Sequence, residues 1–330
     1  MWTRRMKLGR RSLSLFLAGV VLLGAVDLLP AQEKKSAQVA TATSAAAPVP
    51  VPEMTRIAVF QSLRGEQVLR SPLAMVLDDK SGDIIVSSFE SGEVVVLDKN
   101  GATVKRMGAD VGLVSPYGVA MDGRGRIYVS EVRSGLIKIL SPSGTLVDEI
   151  DLSRVMGKTV TPGRITLDKN GLIYVADLNS NQIVVVNGKG GFVRSFGEFD
   201  YLQRAAAVGD GRVVGLSAQG KAVKVFNGEG GMLRSFGEHG DSSGRSVSFP
   251  TGFALDAKGR LWVVDAFQHR LKVFSLDGNF LFNFGRLEED AGGFFFPVDA
   301  CFDNKGRLFV LEKGANRIQI FQVGDLGGAE

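Results

Sequence analysis

At 330 residues and 45% hydrophobic content, the chain is long enough to bury a substantial core. Its formal net charge of +4 is concentrated at the start: Arg4, Arg5, Lys7, Arg10 and Arg11 against Asp27 account for all of it, and from Gln32 onward the charges cancel. A charge-neutral body excludes the broad basic face that nucleic acid requires, and a single cysteine, Cys301, excludes an internal disulfide.

In chain order, the basic stretch is followed by a mostly apolar run over residues 12–26 and then by Leu29, Pro30 and Ala31. This is the layout of an export signal over residues 1–31, either cleaved or kept as an N-terminal anchor. The apolar run is shorter than the ~20 residues of a membrane span, so any membrane contact is expected only through this segment if it stays uncleaved. The pairs Arg4-Arg5 and Arg10-Arg11 suit either the general or the twin-arginine route. The protein is therefore expected to be exported, to the periplasm or outside the cell. Residues 32–53 are rich in Ala, Ser, Thr and Pro and read as a flexible linker. An isolated strand pattern follows at residues 56–60.

From there the sequence repeats itself. SPYGVAMDGRGRIYVSE from Ser115, TPGRITLDKNGLIYVAD from Thr161, FPTGFALDAKGRLWVVD from Phe249 and FPVDACFDNKGRLFVLE from Phe296 are one phrase. Its proline recurs about every 45 residues at Pro72, Pro116, Pro162, Pro250 and Pro297, with one double interval in which a unit has lost it. Six units result, starting near Pro72, Pro116, Pro162, Leu202, Pro250 and Pro297. Each holds four short strands; in the third they are predicted at residues 165–167, 172–176, 182–186 and 192–196. No stretch beyond the export segment carries an apolar stripe at helical spacing, so the chain is all-β.

The second strand of each unit is continuously apolar, as in Leu261, Trp262, Val263 and Val264, which means that both of its faces are covered. Radially stacked blades do that, and the spacing predicts a six-bladed β-propeller over residues 54–325. The sixth unit lacks a fourth strand, having Gly-rich sequence in its place. The strand at 56–60 is expected to complete that blade and close the ring.

The recurring pattern P-x-G-x-x-x-D-x-x-G-x-[IL]-[YWF]-V-x-[DE] resembles the NHL repeat, strongly in units two, three, five and six. Unit one is looser, with Ser88 where the acid is expected, and unit four lacks the proline. The resemblance implies a six-bladed propeller and does not fix an activity, because the family spans binding modules and a few enzymes.

Most of the pattern is scaffold. The prolines pre-set φ at the start of the innermost strand, and Gly125, Gly171, Gly259 and Gly306 serve tight turns. Asp177 with Asn181, Asp265 with His269 and Arg270, and Glu312 with Asn316 and Arg317 recur at one repeat position, which points to structural hydrogen bonds rather than a carboxylate cluster. The GKGG and GEGG segments occupy equivalent hairpin turns and are not phosphate loops. Cys301 sits in an apolar strand phrase, as a small buried hydrophobe.

Several chemistries can be weighed on residue types alone. Propellers resembling the peptide-amidating lyase hold zinc through several histidines, and this chain has two, His239 and His269. A serine nucleophile elbow is missing. Lactonase-like propellers hold calcium through carboxylates converging on the channel, and few carboxylates map there. No cofactor is expected, with a channel calcium as the alternative.

In the repeat, the residue two after the proline is small, as with Ala74, Gly118 and Gly252, because it enters the crowded inner ring. Arg164 and Asp299 hold that slot in units three and six, on opposite sides of a six-fold ring. They either orient a polar ligand in the channel mouth or plug the channel as a water-bridged ion pair. Around the mouth, Tyr117, Arg204, Phe249, Thr251 and Phe296 lie in or beside the links into the inner strands, and the longer link 238–250 is placed over the same face. Aromatics there serve either as binding anchors or as inter-blade packing. The resulting expectation is a non-enzymatic scaffold for a protein or peptide, with a calcium-dependent lactonase or hydrolase as the alternative.

Overall fold

The structure, a computed structural model, describes residues 51–61, 68–240, 244–290 and 292–324. The export segment and residues 32–50 of the linker lie outside them. Among the described residues, six antiparallel four-stranded sheets follow one another along the chain, and each is one blade of a β-propeller. The innermost strands are Pro72–Leu77, Pro116–Met121, Pro162–Leu167, Leu202–Ala207, Pro250–Leu255 and Pro297–Phe302.

The second strands are buried along their whole length in blades one to five, as at Ile127–Glu131 and Arg260–Asp265, and from Leu308 on in blade six. Six apolar clusters fill the structure, and each joins residues of two neighbouring blades. A blade on its own would leave both faces wet; only its neighbours dry them. Trp262 shows the arrangement. It is fully buried, meets Phe282 and Phe302 edge-on, and donates through Nε1 to Asp256 Oδ2 at 2.9 Å.

The ring closes as the sequence predicts. Met54–Gln61 pairs antiparallel with Arg317–Val323, giving the last blade its fourth strand from the opposite end of the described chain. Closure also supplies a packing contact. In blades three and four the residue beneath the hairpin glycine of strands three and four comes from the outer strand of the preceding blade: Ile150 under Gly190, Phe196 under Gly230. Both glycines have positive φ, 81° and 93°; a Cβ would collide with Phe196 at Gly230 and press on Ile150 at 3.0 Å at Gly190. Phe60 of the closing strand does the same under Gly101 of blade one.

Among the described residues, two short helical elements stand outside the strand pattern, a 3-10 turn at Ala109–Val111 and an α-helix at Leu152–Met156. Both were missed by the search for helical spacing, because single turns leave no periodicity to detect. The second is capped by Asp151, whose side chain accepts from Arg154 N at 2.9 Å.

Candidate functional site

Six residues ring the hub, one per blade: Ala74, Gly118, Arg164, Arg204, Gly252 and Asp299. In every blade the ladder between strands one and two shifts register within three residues of the strand's start. Such a bulge re-aims a side chain. Here it turns the slot residue against the neighbouring blade: a Cβ on Gly118 would stand 2.8 Å from Ile165 N, and one on Gly252 2.8 Å from Asp299 Oδ1. The small residues make room for the large ones.

Those large residues meet at Asp299. Arg164 Nη1 lies 2.8 Å from its Oδ2, and Arg204 Nη1 bonds its Oδ1. The backbone N–H groups of Met75 and Ala300 donate to the same carboxylate at 3.0 and 2.9 Å. Through Nη2, Arg164 also donates to the carbonyls of Leu73 and of Val298, the latter at 2.8 Å, while Arg204 lies 5.1 Å over the ring of Phe253. The contact between Arg164 and Asp299 is direct. Asp299 is 1% exposed, Arg164 7% and Arg204 15%. Burial pulls the Arg164 guanidinium below its ordinary value, with Asp299 opposing that pull and Arg204 adding to it.

Sequence reasoning placed Arg204 at the mouth and missed that it shares the slot. The signal was present: Leu202 stands where the other blades have proline, and two residues on is Arg204, paired with Leu216 as Asp299 is with Leu311.

The rim is a second assembly. Phe249 stacks on Phe267 at 4.7 Å, Phe267 meets Phe296 edge-on at 6.4 Å, and Phe296 meets His269 at 4.6 Å. Phe267 is 58% exposed and Phe296 37%. Phe267 was not singled out from sequence, since it stands between two scaffold positions and only the fold sets it on Phe249. Thr251 is half-buried with its hydroxyl 3.5 Å from the Pro297 carbonyl, and Tyr117 packs on Phe89 at 6.4 Å. The link 238–250 is tied to blade five: Gln268 Nε2 donates to Gly240 O at 3.0 Å, and Lys272 Nζ and Asn283 Nδ2 donate to Gly244 O at 3.0 and 2.8 Å.

Scaffold hydrogen bonds hold the rim in place. The repeated acids accept from the backbone of the link arriving at their own blade: Glu131 from Ser115 N, Asp177 from Thr161 N, Asp265 from Ser248 N and Glu312 from Phe295 N, at 2.7 to 2.9 Å. In blade one Ser88 Oγ takes the same part, accepting from Arg70 N at 2.7 Å. Asn181, His269 and Asn316 all have positive φ and accept from the next blade, from Leu202 N, Phe296 N and Ser71 N at 2.9, 3.1 and 2.9 Å.

His269 gives this latch a pH dependence. Its Nδ1 accepts, so the ring must be neutral, and burial holds its pKa below the ordinary 6.5, Asp265 opposing and Arg270 assisting. The unfolded chain therefore binds the proton first, and the stability contributed by neutral His269 is present above about pH 6.5 and is lost as pH falls toward the lowered value. The variant His269→Asn keeps an acceptor of the kind used at Asn181 and Asn316. Urea midpoints at pH 7.5 and 5.5 are expected to fall less for it than for the wild type, and equal falls would refute the latch. Cys301 contrasts: it is half-buried against the cluster between blades six and one, and desolvation, with Asp299 adding to it, pushes its thiol well above the ordinary value, as befits an apolar filler.

No family model and no curated protein matches the sequence, so the likeness to NHL repeats remains a resemblance of pattern. Solved structures do match. They include a gluconolactonase from Xanthomonas campestris (17% identity, TM-score 0.62, 84% of this chain and 99% of that one) and virginiamycin B lyase from Staphylococcus aureus (15%, 0.57, 81% and 84%). The hydrazine synthase of Kuenenia stuttgartiensis matches at 14% identity and TM-score 0.57, covering 81% of this chain and 100% of that one. The likeness is one of fold. It extends to no activity, because one fold carries unrelated chemistries.

The donor set of this propeller's hub does not suit calcium. The hub ring offers one carboxylate, and both of its oxygens already face guanidinium groups. A divalent cation needs several free oxygens and would meet two fixed positive charges. Among the described residues no group of three or more His, Cys, Asp or Glu converges on a point.

Proposed function

We propose that this propeller is a binding scaffold of the periplasm or cell exterior whose rim takes a protein or peptide partner, with residues 1–31 serving export. The observation that carries the reading is the Phe249, Phe267 and Phe296 ridge, an aromatic surface held in place by backbone latches beside a hub closed by ions. Aromatic side chains on rigid backbone are the residues that anchor protein interfaces. Arg164, Asp299 and Arg204 close the hub, Thr251 stands between Phe249 and the hub slot, and Tyr117 belongs to the same channel mouth.

The alternative, a calcium-dependent lactonase-like enzyme, draws on the gluconolactonase among the fold neighbours and is opposed by the charge of the hub. Capture from the native envelope with the mature protein and with Phe267→Ser separates the two. A partner enriched by the wild type and reduced about tenfold by the variant, at unchanged Tm, supports the scaffold. Calcium raising Tm by several degrees, together with lactone hydrolysis, would overturn it.

A further inference from the structure

Beyond the plug, toward the ends of the inner strands remote from the rim, the channel widens into a cavity of about 190 Å³. Its floor is Arg164, Arg204 and Asp299, and its walls include Ala74, Val119, Ala120, Met121 and Leu167. A second cavity of about 260 Å³ lies on the other side of the channel, and Arg204 lines both. Among the described residues, the only charged ones lining either are these three.

Their charges do not balance. Two guanidinium groups share one carboxylate, which leaves one buried positive charge without a counter-charge. Asp299 has no capacity left to correct this, since two cations and two backbone N–H groups already occupy it. Arg204 Nε is buried and makes no hydrogen bond, and Arg164 Nη1 touches Asp299 without hydrogen-bond geometry. Buried charged donors in this state are costly, and a functional site is where such a cost persists.

We infer that the channel is a binding site for a small organic carboxylate, its anionic head on Arg204 and Arg164 and its apolar body along the alanine, valine and methionine walls. The charge selects a monoanion, since one negative charge neutralises the floor. The size selects a compact body: an apolar protein cavity of about 150 Å³ holds benzene. The outer lining residues Val76, Met121, Thr166 and Leu167 are half-buried while Arg164 and Asp299 are buried, so the mouth opens away from the aromatic ridge. The site is thus independent of the proposed rim partner.

Benzoate is the probe, titrated into the mature protein by calorimetry at constant ionic strength, with benzamide and sulfate as controls. Saturable one-to-one binding with Kd near or below about 1 mM is expected, with no binding of benzamide. Arg204→Met, which leaves Asp299 paired with Arg164, is expected to weaken benzoate at least about tenfold without lowering Tm. Should that variant fail to fold, ¹⁵N side-chain NMR of the wild type reads the same contact, as a benzoate-dependent shift of the Arg204 Nε–H resonance. The inference is overturned by wild-type protein that does not saturate with benzoate, by equal binding of benzamide, by sulfate producing the same response, or by a folded Arg204→Met variant that binds as the wild type does.

Discussion

Replacing Asp299 by alanine is expected to lower stability by about 3–5 kcal/mol, the cost of leaving buried charges without their counter-ion. Two guanidinium groups, 7% and 15% exposed, would face each other with no acid between them, and the N–H groups of Met75 and Ala300 would lose their acceptor. For a chain of this size the loss corresponds to a fall in Tm on the order of 10 °C. Arg204→Met added to Asp299→Ala should recover part of it, because one of the two stranded charges goes. Differential scanning calorimetry of the wild type and the two variants decides the matter: a loss below about 1 kcal/mol for Asp299→Ala would mean that water, not Asp299, neutralises the hub. The same comparison distinguishes a plug from a mere contact, since a plug couples blades one, three, four and six through a single side chain.

Removing the closing strand should have the larger effect. A chain that begins at Val68 keeps every blade but leaves Arg317–Val323 as an open edge, and it takes Phe60 from beneath Gly101. Ala58 and Phe60 also pack on the cluster between blades six and one, so the cost combines a lost ladder with re-exposed apolar surface, about 4 kcal/mol or more. An exposed edge strand carrying Ile318, Ile320, Phe321 and Val323 is also a template for pairing between molecules, so the truncated chain is expected to self-associate. Size-exclusion chromatography and thermal unfolding read both consequences. A monomer melting within about 2 °C of the intact chain would show that the ring does not depend on its closure. A peptide spanning residues 52–62, added in trans, should restore part of the lost stability by refilling the gap in blade six.

Much of this architecture was legible in the one-dimensional text. The proline interval, the continuous apolar second strands and the missing sixth outer strand together imply six stacked wedges and a borrowed strand, and the described sheets are arranged so. The acids at 131, 177, 265 and 312 could be set aside as scaffold because they repeat, and each accepts from the link arriving at its own blade. The site was less legible. Arg204 was placed at the mouth, but its place in the hub slot was hidden by the loss of one proline, which removed the marker that identifies that slot. Phe267 was hidden because nothing in its local phrase distinguishes an exposed phenylalanine from a buried one.

What the sequence determined alone is therefore periodic: unit number, strand order, closure and the identity of the turn and latch residues. These follow from local pattern, because a wedge too small to bury its own faces has no stable option except to stack. What only the tertiary structure decided is where unlike residues of different wedges meet. Arg204 and Asp299 are 95 residues apart in sequence and Arg164 and Val298 are 134 apart, and a repeat makes all such slots look alike until the ring brings them to one axis. The unbalanced charge on that axis, two arginines to one acid, is a property of the closed ring and of no single blade.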